Sequence, residues 1–165
     1  RTHELEFYFP ASSICAQKLA KLILAERPLS ADKEPPSLAR LGLEPVRGFI
    51  RGFIDLVFTI HGRWFLADWK SNHLGPNVES YRKEHLERAM LEHYYYLQYH
   101  IYAVALHRHL RRTIHNYDYD SHFGGVFYFF VRGIHRDTPE TGIYFDRPSK
   151  LLINALDDYL GRFPA

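Results

Sequence analysis

The chain has 165 residues, 46% of them hydrophobic and 16% aromatic, which is enough for one domain with a real core and excludes a largely disordered segment. Its formal net charge of +2 neither demands nor excludes a polyanionic partner, because local patches decide such binding. A single cysteine, Cys15, excludes an internal disulfide and makes a reducing cytoplasmic setting the expectation. No stretch approaches the roughly 20 apolar residues a membrane helix needs, so no membrane partner is expected.

The chain opens without methionine on Arg1-Thr2-His3-Glu4-Leu5-Glu6-Phe7-Tyr8-Phe9. That run alternates like a strand, which predicts a first strand over residues 4–9, ended by Pro10, in a domain cut from something larger. Ser12 or Ser13 is placed to cap a short helix carrying Ile14, Leu19, Leu22 and Ile23. Residues 26–45 hold Pro28, Pro35, Pro36 and Pro45 and read as a long surface connection. A hairpin follows over 47–70, then a polar loop over 71–80. The spacing of Leu86, Met90, Leu97, Ile101, Ala105 and Leu110, with no Gly or Pro between them, predicts one long helix from about Tyr81 to Arg112. Gly124-Gly125 opens a third apolar strand, 126–131. A short strand at 142–145 and a last helix from Pro148 or Ser149 to Gly161 complete the order. Helices must cover a sheet that is apolar on both faces, so the expected class is α/β with a mixed central sheet flanked by helices.

The chemistry-bearing residues concentrate in the hairpin. Asp55 sits in Gly52-Phe53-Ile54-Asp55-Leu56-Val57-Phe58, and Asp68 and Lys70 sit in Trp64-Phe65-Leu66-Ala67-Asp68-Trp69-Lys70. An unpaired carboxylate buried in such an apolar strand costs several kcal/mol or neutralises itself. If His61-Gly62 is a two-residue turn, Ile60 faces Arg63 and Asp55 faces Asp68, with Cβ atoms roughly 4.5–5.5 Å apart. Like charges at that distance repel unless a cation or a proton sits between them. Lys70 leaves the same face two residues on. The plain alternative is an acid pair held by Lys70 as a structural salt bridge. The chemical reading is a divalent metal: Mg²⁺ takes one or two carboxylates, with water and substrate phosphate completing its shell. Asp55 and Asp68 fit that role, the Trp69 carbonyl offers a further oxygen, and Lys70 is placed to orient an attacking water or neutralise developing charge.

The long helix adds Gln98 and Tyr102, four apart and on one face. Tyr94, Tyr95, Tyr96 and Tyr99 read mainly as an aromatic stripe against the sheet, but a buried Gln98 amide needs partners. Eleven histidines invite a zinc reading. His107, His109 and His115 lack a cysteine pair or HExxH spacing, so solvated or DNA-facing histidines are expected. Arg108, Arg111 and Arg112 place cations at the end of that helix, where the helix dipole favours them.

Gly52-Phe53-Ile54-Asp55, Asp68-Trp69-Lys70-Ser71-Asn72 and Gln98-Tyr99-His100-Ile101-Tyr102 together resemble the PD-(D/E)xK nuclease superfamily. Within it, Leu97-Gln98-Tyr99, Tyr102-Ala103-Val104-Ala105-Leu106-His107-Arg108 and His122-Phe123-Gly124-Gly125-Val126 resemble the C-terminal nuclease domains of the RecB family, the exodeoxyribonuclease V beta subunits. The similarity runs over nearly the whole chain. It implies a restriction-endonuclease-like fold and Mg²⁺-dependent cleavage of DNA, on single strands or unwound ends. By that resemblance Asp55, Asp68 and the Trp69 carbonyl hold metal, Lys70 is the catalytic lysine, and Gln98 and Tyr102 support it. Glu4, with Glu6 as the alternative, matches the family's acidic residue on the early strand. RecC, RecD and a recombinase are the partners it implies, in end processing and recombinational repair. The chain, residues 1–165, is then a single nuclease domain of a larger helicase-nuclease subunit. It carries no helicase motif or glycine-rich phosphate loop, and the family's metal-binding histidine lies upstream of the region matched. Two other readings are a non-cleaving DNA-binding or regulatory module with the same fold, and a restriction-like endonuclease.

Overall fold

A computed structural model of the chain describes residues 2–10, 15–26, 44–46 and 49–161. In order these form β1 (Thr2–Pro10), α1 (Ala16–Glu26), β2 (Glu44–Val46), β3 (Phe49–Ile60), β4 (Arg63–Lys70), α2 (Lys83–Glu92), α3 (Tyr95–Thr113), α4 (Tyr119–His122), β5 (Phe123–Phe130), β6 (Ile143–Asp146) and α5 (Lys150–Gly161). Short 3₁₀ turns lie at Val78–Tyr81 and Val131–Gly133. The strand order is β1-β3-β4-β5-β6, with β2 also pairing to β3. All pairs are antiparallel except β4–β5, which is parallel. The mixed α/β sheet expected from the sequence is therefore present. The expected Ser12 or Ser13 cap, Ile14 and most of the 26–45 connection lie outside the described residues.

The parallel pair dictates the layout. Two parallel neighbours need a crossover, and α2 and α3 supply it between β4 and β5. Leu66 on β4 and Val126 and Tyr128 on β5 are fully buried beneath this cover, together with Leu97, Tyr99, Val104 and Leu106 of α3 and Ile153 and Leu156 of α5. The opposite face is built from stacked rings: Phe58 on Phe65, Phe65 near Phe127, Trp69 on Phe129, and Phe127 against Phe145. Gly124 belongs to this packing. A Cβ there would lie 2.3 Å from the Phe65 ring, so only glycine lets that ring cross the strand. The β4–β5 register shifts at the same point.

One expected helix is two. The run from Tyr81 to Arg112 breaks between α2 and α3 at Tyr94, which holds a left-handed backbone (φ 56°, ψ 25°) without being glycine. Packing overrides local propensity here. The α2 segment buries a narrow stripe, Leu86, Ala89 and Met90, whereas α3 is buried without interruption from Tyr96 to His107. A single straight helix could not lie on the rim and then run through the core. The histidine expectation also needs correcting. His109 and His115 are exposed, but His107 is buried among Tyr117 and Tyr119, its Nδ1 3.1 Å from the Tyr117 hydroxyl. Desolvation lowers its pKa. At the same helix end, Arg108 and Arg111 both pair with Asp157 of α5, so two of the three expected cations tie helices together.

Candidate active site

The hairpin turn is where the site begins. His61 (φ 49°) and Gly62 (φ 77°) are both left-handed, the signature of a type I′ turn, whose twist matches that of the strands it joins. Ile60 pairs with Arg63, and the ladder runs from there through Thr59–Trp64, Phe58–Phe65 and Val57–Leu66 to Leu56–Ala67. This is the expected register. The ladder ends one pair short of Asp55 and Asp68, however, and the Asp55 carboxylate takes over a backbone role. Its Oδ2 accepts the Trp69 N–H at 3.0 Å. Burial along β3 records the same irregularity: Ile50, Gly52 and Ile54 are buried in alternation, then the buried position slips to Val57. Asp55 sits at the slip and stays solvent-exposed.

Asp68 is only 3% exposed. Burial raises its pKa from 3.8 to about 6, the Lys70 ammonium pulls it down, and the Asp55 charge adds a smaller upward push. Lys70 Nζ lies 2.5 Å from Asp68 Oδ2. That oxygen is buried, and the Lys70 ammonium pairs with it within hydrogen-bond distance. Two neighbouring carboxylates, one of them buried, form a donor set that suits a divalent cation.

Lys70 is held from three further sides. Its Nζ donates to Gln98 Oε1 at 3.0 Å and lies over the Tyr95 ring at 4.2 Å and the Tyr128 ring at 5.1 Å. The ammonium has no acceptor, so the Gln98 atom facing it must be the oxygen. That fixes the amide: Nε2 donates to the Tyr102 hydroxyl at 3.0 Å, and Oε1 also accepts from the Tyr128 hydroxyl at 2.8 Å. Tyr102 is buried, and desolvation and the charges of Asp68 and Asp55 raise its pKa. Asp55, Asp68, Lys70, Gln98 and Tyr102 thus come together at one end of the sheet.

The sequence reading missed Tyr128, Tyr95 and Asn72. Tyr128 stands directly beside Asp68 in the parallel β4–β5 register, but in sequence it is hidden inside an aromatic strand. Tyr95 donates to Asn72 Oδ1 at 3.1 Å, which ties the loop after Lys70 to α3. Glu4 is less fully placed. His3 pairs with Leu56 and Leu5 with Ile54, so its backbone comes opposite Asp55, while its side chain lies outside the described residues. Glu6 is an unsuitable substitute, since Arg51 at 2.5 Å and Tyr8 at 2.7 Å hold it at the surface. Among the described residues no three His, Cys, Asp or Glu side chains gather into a metal cluster. A pair of carboxylates such as Asp55 and Asp68 suits a metal that keeps water and phosphate oxygens in its shell.

A mixed sheet with a parallel pair after the acid-bearing hairpin, DxK on one strand and QxxxY on the crossover helix, defines a nuclease-like core, and residues 9–160 match the PD-(D/E)XK nuclease superfamily. The chain belongs to that superfamily, whose members are metal-dependent. Its similarity is to one branch in particular. It is 46% identical over 156 residues to the RecBCD enzyme subunit RecB of Escherichia coli (strain K12), covering 94% of this chain and 13% of that protein. It is 47% identical over 117 residues to RecB of Haemophilus influenzae, covering 71% of this chain and 10% of that protein. Against RecB of Mycobacterium tuberculosis (strain ATCC 25618 / H37Rv) it is 40% identical over 151 residues, covering 87% and 14%. The chain spans only about an eighth of the length of these relatives. None of its described helices is long and apolar enough to cross a membrane.

Proposed function

We propose that the chain is the Mg²⁺-dependent nuclease domain of a RecB-type exodeoxyribonuclease V beta subunit. It hydrolyses phosphodiester bonds in DNA at broken ends, on single strands or unwound ends, in the cytoplasm. RecC and RecD are the subunits it works beside, on the strength of the RecBCD relatives, and a recombinase is the protein it serves in the same proposal. The observation that carries the reading is the convergence of Asp55, Asp68 and Lys70 where the β3–β4 ladder ends, with Asp68 buried and paired to Lys70.

Asp55, Asp68 and the Trp69 carbonyl would hold the metal. When bound, Mg²⁺ supplies Lewis-acid polarisation of the phosphoryl group and neutralises its charge. Lys70 has the geometry to place a cation against the substrate phosphate or to orient the incoming water. Its ammonium is restrained by Asp68, Gln98 and two aromatic faces, so little reorganisation is needed as charge develops. Gln98 and Tyr102 act through Lys70 as positioning residues. Glu4, opposite Asp55 in register, is proposed as a supporting acid.

The test is incubation of the chain with single-stranded DNA and Mg²⁺ beside Asp68→Ala and Lys70→Ala. Cleavage is expected in the wild type, to be lost with EDTA, and to fall by about 10²-fold or more in each variant. Binding without cleavage would instead make the chain a non-cleaving module. Duplex cutting at a fixed sequence without a motor would make it a restriction-like endonuclease.

A further inference from the structure

Trp69 enters the proposed site only through its backbone: its N–H is held by Asp55, and its carbonyl is a proposed metal ligand. Its indole is on the other face of β4 and is 49% exposed. It stacks on Phe129, its partner in the parallel register, at 4.8 Å between ring centroids and 25° between planes. Phe129 lies in turn parallel to Phe127, with 2° between their planes. A large exposed indole held rigid by a second ring loses little entropy when a flat ligand is laid on it. Just past the ends of β4 and β5, Arg132 donates from Nε to the Ser71 carbonyl at 2.8 Å and is exposed. The indole leaves β4 on the face opposite Asp68 and Lys70, while the Trp69 N–H is held by the exposed Asp55 carboxylate, so a π-face adjoins one of the two acids and a fixed cation lies just past the strand end.

Resting on the nuclease reading, we infer that Trp69, backed by Phe129, is a stacking subsite for an unpaired nucleobase next to the scissile phosphate, with Arg132 contacting the adjoining backbone. The occupant is single-stranded because a paired base has no free face to offer. Stacking of this kind tolerates any base, since each has a π-face. The subsite would let the site grip a strand without reading its sequence. It would also set which phosphate comes to Asp55 and Asp68.

The test measures anisotropy of labelled single-stranded DNA in EDTA, where no cleavage occurs, so it is independent of catalysis. Trp69→Ala is expected to weaken binding about 5- to 100-fold and Trp69→Phe by less than about threefold. An otherwise matched abasic oligonucleotide should bind wild type about as weakly as Trp69→Ala binds the normal strand, and Trp69→Ala should not distinguish the two. With Mg²⁺, moving one abasic site along the strand should depress wild-type cleavage at a single offset from the cut. Equal affinity of wild type for normal and abasic strands overturns the subsite. So does an equal loss for both strands in Trp69→Ala, which would make the aromatic face a packing surface for other polypeptide. Either result leaves the nuclease reading standing. Cleavage indifferent to Asp68→Ala and Lys70→Ala would overturn that reading instead.

Discussion

Replacing Asp68 by asparagine should abolish cleavage while making the metal-free protein more stable. The side chain is 3% exposed and its pKa is raised from 3.8 to about 6. Holding it ionised above pH 7 therefore costs the fold up to about 3 kcal/mol, at 1.36 kcal/mol per pKa unit. Asparagine keeps the shape and removes the charge. It also leaves Lys70 with only Gln98 and the Tyr95 and Tyr128 rings, and that lost pairing offsets part of the gain, so a net gain of about 1–2 kcal/mol is expected. At this chain length that is a rise of roughly 2–10 °C in Tm. The sign with pH follows from linkage. The native acid binds its proton below about 6 and the unfolded one only below 3.8. Between those values the native state therefore takes up a proton that the unfolded state does not. Wild-type stability at this site rises as pH falls through that window, and the advantage of Asp68→Asn shrinks with it. Urea unfolding in EDTA at pH 8 and pH 4.5, on both proteins, measures the difference. A variant less stable than wild type at pH 8, or a gap that does not narrow at pH 4.5, would refute the assignment of Asp68 as a strained buried acid.

Tyr128→Phe removes one donor to Gln98 Oε1 while Lys70 still donates to it; kcat should fall about 2- to 10-fold with KM little changed, and steady-state kinetics on an oligonucleotide would show it. His107 is buried with a lowered pKa, so its contribution is full above about pH 6.5 and declines as acid protonates the unfolded chain first. Urea midpoints at pH 7.5 and 5.5 should therefore draw closer together in His107→Gln than in wild type. Gly124→Val places a Cβ 2.3 Å from the Phe65 ring and should cost about 1–3 kcal/mol by forcing that ring off the strand. A denaturant midpoint within error of wild type would show that Phe65 has room to move.

The hairpin was legible because its information is local. A positive-φ turn of fixed length determines the whole register, so His61-Gly62 alone brings Asp55 to the level of Asp68. What the arithmetic could not supply is the end of the ladder. At Asp55 the side chain replaces a backbone acceptor. The break at Tyr94 was illegible for a related reason. No glycine or proline marks it, and the cost of a left-handed tyrosine is met by burying α3 from Tyr96 to His107, a tertiary gain that helical spacing does not encode.

Gln98 and Tyr128 show the limit from the other side. Gln98 stood out because an amide in an aromatic helix has no plain reason to be there. Tyr128 did not, because a tyrosine in an aromatic strand does. Yet the two perform one task. The Lys70 ammonium forces Oε1 toward itself, the second lone pair of that oxygen takes the Tyr128 proton, and Nε2 is left for Tyr102. Only the parallel pairing that sets Tyr128 beside Asp68 turns an ordinary core residue into part of the lysine's cage. A chain read strand by strand finds the acids and the lysine. The groups that aim the lysine come from the crossover helix α3 and from β5, the strand it leads to, and become visible only when that crossover closes the sheet.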